Sequence, residues 1–260
     1  MRVARFKRVL RAAQLTQRYQ PLLECAGLAT PEALAEVDSV EGTLERLPAI
    51  ALEEFRSSPA SFESPGGLNP ALQTFRSPLE HTPKTAILMP GFEQTSGVRV
   101  IAHDWSKGLK RFGASALAAP LTVLRELATS IESGEQEIGG LKHFVIPFTG
   151  GEQGELGEDD RERFWRVFQV PLFEQRVGFD GRVIAYECEA HGGLHIMPEH
   201  AAFEETADAE LLLTSLTDLR HPTLRIGTRT SGSIQRECCD CGNAAPRLFG
   251  VRQLAAAAAC

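Results

Sequence analysis

Apolar positions at the start of the chain recur with the period of a helix. Phe6, Val9, Leu10, Ala13 and Tyr19 share one face over residues 1 to 24, while Arg2, Arg5, Arg8, Arg11 and Arg18 lie largely elsewhere. The spacing predicts an amphipathic helix packed on a core, with a solvated basic side. Membrane or mitochondrial targeting is the other use of such a pattern, but a secretory signal is not expected, since a long apolar run and a cleavage site are missing. Thr30 before Pro31 makes a good N-cap for a second, short helix. Leu44, Leu47 and the stretch Pro48 to Arg56 suggest another.

From Ser57 to Pro90 the pattern breaks down. Pro59, Pro65, Gly66, Gly67, Pro70, Pro78 and Pro83 interrupt it too often for long regular elements, which predicts an irregular arm or linker over residues 57–110. Within it, Ile87-Leu88-Met89 reads as a short strand ended by Pro90-Gly91, and His103, Asp104 and Trp105 as a helix start. Gln94-Thr95-Ser96-Gly97 has the glycine and hydroxyl content of a phosphate loop, in which backbone N–H groups point at phosphate oxygens. One Thr-Ser-Gly triplet is a weak signal, and a plain turn is the preferred reading of it.

The second half is more regular. Ala116 to Pro120 predicts a strand, Leu121, Leu124, Leu127, Ala128 and Ile131 a helical stripe that stops near Gly134, and Lys142 to Phe148 another strand. Thr149-Gly150-Gly151-Glu152 then turns into a helix over Asp159 to Phe168, with Phe164, Trp165 and Phe168 expected to face inward. Strand, glycine turn and helix in that order belong to an α/β layer architecture. Ligands in open α/β sheets sit beyond the carboxyl ends of strands, so Gly150 to Glu152 is a site candidate by position.

Composition narrows the function classes. A net charge of −7 argues against general nucleic-acid binding, and 43% hydrophobic with 23% charged residues describes an ordinary globular chain. No apolar run approaches the roughly 20 residues of a membrane span. With 260 residues, the chain can bury about 70–75% of its unfolded surface, enough for one large core or two small ones.

Six cysteines and seven histidines change the picture most. Four of the cysteines and two of the histidines fall in two short stretches, Glu187-Cys188-Glu189-Ala190-His191-Gly192-Gly193-Leu194-His195 and Cys238-Cys239-Asp240-Cys241-Gly242. Structural zinc sites take thiolates and imidazoles, usually two from each of two chain segments. Cys239 and Cys241 with Gly242 can form a tight knuckle, and Cys188 with His191 or His195 supplies the other half. The competing reading makes Cys188 a small buried hydrophobe and 238–241 a reduced surface loop. Cysteines grouped in this way beside histidines suit the reducing cytoplasm better than a disulfide framework.

Several of these segments occur in an order that resembles phenylacetate-CoA ligase and its relatives in the adenylate-forming superfamily. They are Thr149-Gly150-Gly151-Glu152, the helix ending in Phe164 to Val170, Tyr186-Glu187-Cys188 through His195, Leu212 to Leu216, and Cys239-Asp240-Cys241-Gly242 through Pro246-Arg247-Leu248. The helix to Tyr19, the Ala26-Gly27-Leu28 turn and Leu44 to Pro48 look like that family's opening helices, whereas Phe62 to Lys110 match poorly. The resemblance implies an α/β fold, a layered mixed sheet with flanking helices, equivalent to part of the ligase N-terminal domain without the C-terminal lid. It divides the chain into a helical segment (1–56), the arm or phosphate-loop remnant (57–110), an α/β domain with a zinc knuckle (111–250) and an alanine-rich tail (251–260).

The same resemblance implies an enzyme that activates a carboxylic acid with Mg-ATP and passes it to coenzyme A. It assigns zinc to Cys188, His195, Cys239 and Cys241, with His191 as the substitute, and nucleotide contacts to Gly150, Gly151, Glu152 and Arg225. The departures point away from activity. Thr95-Ser96-Gly97 is all that stands for the phosphate loop, Gly178 replaces a magnesium-holding glutamate, and Thr230 replaces the aspartate that grips the ribose. The expectation is a truncated relative without full ligase activity, stabilised by zinc and acting as a binding or regulatory protein, with a full-length ligase as one possible partner and neither nucleic acid nor membrane among them. The alternative is an active AMP-forming ligase, using ATP, magnesium and coenzyme A and completed by another chain.

Overall fold

One continuous sheet runs through the computed structural model, which describes residues 1–68, 71–102 and 105–255. Expectations that fell on Pro70, His103, Asp104 and the alanine tail from 256, with Cys260, lie outside the described residues. The strands are β1 (Thr85–Ile87), β2 (Val98–Val100), β3 (Ala116–Pro120), β4 (Val145–Thr149), β5 (Gln175–Val177), β6 (Val183–Glu187), β7 (Leu194–Ile196), β8 (Ala201–Glu205), β9 (Glu210–Ser215), β10 (Ile226–Gln235) and β11 (Arg247–Gln253). Their order in the sheet is β2-β1-β3-β4-β5-β6-β7-β11-β10-β9-β8. From β2 to β5 all neighbours are parallel. From β5 to β8 all are antiparallel. The sheet is therefore mixed, as the α/β reading expects, and it changes character at β5.

The parallel half is covered on both faces, which explains why β3 and β4 are buried along their whole length. On one face, α6 (Trp105–Phe112), α7 (Leu121–Glu132) and α8 (Glu158–Phe168) pack Leu109, Leu124, Leu127 and Phe164 against Leu117, Ala119 and Val145. On the other, Phe75 and Phe92 cover Ile146, Phe148 and Val177. Trp165, expected to face inward, is 58% exposed; a helix buries one stripe, and Phe164 and Phe168 already fill it.

The N-terminal pattern is interrupted where the sequence suggested one helix. Residues 1 to 25 form α1 (Arg2–Ala13) and α2 (Gln20–Cys25), because Pro21 has no N–H to continue a helix and Thr16 Oγ1 takes the Tyr19 N–H instead. With α3 (Pro31–Glu36), α4 (Val40–Leu44), α5 (Leu52–Ser57) and a 3-10 turn at Pro59–Phe62, they pack Phe6, Leu10, Leu23, Leu34 and Phe62 onto Ala202 and Ile226 of the sheet and Leu216 just past β9. Each such buried side chain contributes about 1.5–3 kcal/mol relative to exposure. The Tyr19 hydroxyl ties this layer to Leu224, donating to its carbonyl and accepting from its N–H.

Residues 57–110 do not form an irregular arm throughout: they supply β1, β2 and α6, and β1 is fully buried between β2 and β3. The 251–260 segment likewise begins as the end of β11 rather than as a tail. Thr95-Ser96-Gly97 is a turn, in which Thr95 Oγ1 accepts from the N–H groups of Gly97 and Val98.

Candidate metal centre

The centre is assembled by three neighbouring strands. β6 ends at Glu187 and delivers Cys188; the chain reverses through a turn closed by the His191 N–H on the Cys188 carbonyl at 3.0 Å. Gly193 has φ +99°, and a Cβ there would sit 2.7 Å from the Leu248 carbonyl oxygen, so glycine is required for β7 to reach β11. His195 then pairs with Tyr186 on one side and Arg247 on the other, and it is fully buried. The loop from β10 to β11 brings Cys239 and Cys241 back over it. A hydrogen bond from Gly242 N–H to the Cys239 carbonyl at 2.8 Å, with Gly242 at φ +82°, closes the knuckle. Asn243 Nδ2 donates to the Tyr186 hydroxyl at 2.9 Å and fixes the loop to β6.

The ligand atoms of Cys188, His195, Cys239 and Cys241 all lie within 4.8 Å of one another. Cys188 Sγ and Cys239 Sγ are 3.7 Å apart, and Cys241 Sγ is 3.4 Å from His195 Nε2. A tetrahedral ion with bonds of about 2.3 Å to sulfur and about 2.0 Å to nitrogen requires edges of roughly 3.8 and 3.6 Å. A disulfide would need sulfurs about 2.05 Å apart. The four residues can therefore hold a metal ion. His191, the substitute ligand, is turned away: its Nδ1 meets Glu187 Oε1 at 2.9 Å and its ring stacks on Phe173.

A proton competes with a metal most strongly at Cys188 and less at Cys239 and His195. Burial pushes the Cys188 thiol up to about 11, against an opposing Ala190 N–H. The Cys241 N–H, donated to Cys239, holds that thiol below its usual value. Burial also holds His195 below the ordinary imidazole range. The Ala245 carbonyl opposes this only partly. A neutral imidazole with Nε2 facing the sulfurs is the ligating form.

The residues expected to contact nucleotide are placed differently. Gly150 opens the turn after β4, with Gly151 and Glu152 exposed beside it. A Cβ on Gly150 would sit 3.0 Å from Arg176 Cγ, so the Arg176 side chain lies directly against the turn. Arg176 is only 2% exposed; its Nη1 meets Glu155 Oε2 at 2.5 Å and its Nη2 donates to Thr230 Oγ1 at 3.3 Å. Thr230 and the Gly150 turn are thus brought together with the Arg176–Glu155 ion pair between them. Arg225 is elsewhere: its guanidinium binds Glu204 and the Leu47 carbonyl, and none of its partners belongs to the 150–152 turn.

A second charged cluster escaped sequence reasoning. Arg161 of α8 bridges Glu174 at 3.1 Å and Glu187 at 3.3 Å, beside a cleft of about 430 Å³ that His191 also lines. Burial raises the Glu174 carboxyl to about 7, opposed by Thr149 and Arg161. The one available signal was a glutamate following Phe173 in an otherwise apolar approach to a strand.

No family model matches the sequence, and no curated protein does. Among solved structures, 2-hydroxyisobutyryl-CoA ligase in complex with 2-HIB-AMP and CoA in the thioesterification state matches with a TM-score of 0.68 and 12% identity, over 97% of this chain and 67% of that one. Its open conformation with the same ligands gives 0.67 and 12%, over 95% and 67%. Its postadenylation state with 2-HIB-AMP gives 0.66 and 14%, over 95% and 66%. This chain spans about two thirds of the length of that ligase, and over that length it has the fold of an acyl-CoA ligase.

Proposed function

We propose that this protein is an acyl-CoA-ligase-like chain with a structural zinc site that does not complete adenylation and acts as a binding or regulatory protein. The observation that carries the reading is the Arg176–Glu155 pair. The resemblance to the phenylacetate-CoA ligase family would put adenine against Gly150, Gly151 and Glu152 and the ribose at the position of Thr230. Arg176 lies against the Gly150 turn, pairs with Glu155 and donates to Thr230, which supports a reading in which the protein's own side chain takes the place of a nucleotide. The resemblance also finds no counterpart for the magnesium-holding and ribose-gripping carboxylates, and one lost electrostatic group commonly costs about 2.7–4 kcal/mol in a barrier.

Zinc suits the donor set because three thiolates and one imidazole close a tetrahedron and leave no open position for substrate. Cys188, His195, Cys239 and Cys241 would hold it, and its contribution is to fasten β6, β7 and the β10–β11 loop. A reducing compartment such as the cytoplasm keeps these thiols available, and no helix of the described residues is long and apolar enough to cross a membrane. The protein partner of this reading is a full-length ligase whose activity this chain would adjust.

The test is ATP–pyrophosphate exchange by zinc-confirmed protein across a panel of aliphatic, hydroxy and aromatic acids. The reading predicts no exchange with any acid. Exchange by the chain alone would overturn it. A second reading, an AMP-forming ligase completed by another chain, draws on the overlap with ligase structures that hold an adenylate and CoA. It predicts exchange only after a full-length ligase carrying an inactivated site is added.

A further inference from the structure

Helix α1 carries its arginines unequally partnered. Arg2 is paired with Glu41. Among the described residues, Arg5 Nη1 reaches the Glu199 carbonyl at 2.7 Å and no carboxylate, and Arg8 is exposed with no ion pair. Both face a cleft of about 360 Å³ between α1, the β5–β6 turn and the end of β9, where Arg182 and His200 join them. Arg182 Nη2 donates to the Ala71 carbonyl at 2.7 Å, while its Nε is buried without a hydrogen-bond partner. His200 has Nδ1 against the Val183 carbonyl, which leaves Nε2 available.

Among the described residues no carboxylate lines this cleft, although the chain as a whole carries a net charge of −7. The acids on adjoining turns are directed to hydroxyl and backbone N–H donors. Asp180 accepts from Thr217 Oγ1 and the Arg182 N–H, and Asp218 accepts from the N–H groups of Arg220 and His221. Arg5, Arg8 and Arg182 line the same cleft, and like charges gathered there are stabilised by an anion among them. The opposite wall is apolar, formed by Leu68, Leu216 and Leu219.

We infer that this cleft is a binding site for a small organic phosphate, its anionic head held by Arg5, Arg8 and Arg182 and its apolar end against Leu216 and Leu219. A carboxylate is satisfied by one bidentate arginine, whereas a phosphate offers three oxygens at up to two negative charges, matching three forks. The volume is at the low end for small-molecule sites, which limits the apolar part to a few carbons. The site is independent of the metal centre and of the Gly150 turn.

Isothermal titration of propyl phosphate, inorganic phosphate and butyrate into the full-length, metal-loaded protein tests this. Propyl phosphate should bind tightest, inorganic phosphate more weakly and butyrate weakest, with affinity falling as salt is raised. Arg8→Gln should weaken propyl phosphate at least about tenfold, the loss of one charge-assisted bond. Arg8 has no ion pair to lose, so its replacement should leave the melting temperature unchanged. Arg182→Lys, which keeps the charge and removes the fork, should weaken it too. Equal affinity for butyrate and propyl phosphate would overturn the inference, as would undetectable propyl phosphate binding at millimolar concentration or an Arg8→Gln protein that binds as well as the parent.

Discussion

The Sγ atoms of Cys188 and Cys239 stand 3.7 Å apart although 51 residues separate them in the chain. That distance is the sulfur–sulfur edge of a zinc tetrahedron and nearly twice a disulfide bond. Three strands must take their places before it can form, so metal and fold are coupled. Elemental analysis should find one zinc per chain. Chelation, or Cys239→Ser, should cost at least about 3 kcal/mol and lower the melting temperature by roughly 6–12 °C. Cys238→Ser should do neither, since Cys238 is exposed and bonds only the Cys239 carbonyl.

Gly193 and Gly242 both have positive φ, but only one is enclosed. Gly193→Ala would force its Cβ to 2.7 Å from the Leu248 carbonyl and push β7 from β11 beside His195, whereas at Gly242 nothing lies within 4 Å. Urea unfolding should show Gly193→Ala losing about 2–3 kcal/mol or more together with zinc affinity, and Gly242→Ala losing about 1 kcal/mol with zinc retained.

The Arg176–Glu155 pair is buried, so removing one partner leaves an uncompensated charge. Arg176→Met should destabilise the fold by about 3–5 kcal/mol. Adding Glu155→Leu should recover most of that loss. Additive losses in the urea midpoints of the two single variants and the double variant would show that the pair does not act as a unit.

Glu174 makes stability fall with rising pH. Its folded carboxyl titrates at about 7, above its ordinary 4.5, because burial disfavours the charged form. Between those values the folded chain holds a proton that the unfolded chain has released, so the stabilisation present below pH 4.5 is lost as pH rises toward 7. Glu174→Gln should flatten that part of the profile, which is measurable as urea midpoints from pH 4.5 to 7.5.

The metal cluster was legible because cysteine and histidine at short spacing with glycines carry their chemistry in the sequence itself. The choice between His191 and His195 needed the strand register: His195 sits on β7 opposite Tyr186, while His191 lies in the turn and pairs with Glu187. Within 57–110 the sequence placed a short strand at Ile87–Met89, overlapping β1, but β2 is three residues long, too short to show alternation among the prolines. Arg176 was invisible for a different reason. An arginine on a short strand looks solvent-facing until Glu155 and Thr230, distant in sequence, are placed around it. The partners of Arg225, Glu204 and the Leu47 carbonyl, are equally distant in sequence and were equally invisible.

Calorimetric titration of Mg-ATP into protein confirmed to contain one zinc per chain tests the central claim most directly. With Arg176 between the Gly150 turn and Thr230, the account predicts no saturable heat up to millimolar nucleotide. Micromolar binding, weakened by a substitution at Gly150 or Thr230, would mean that a nucleotide displaces Arg176, and the account would be contradicted.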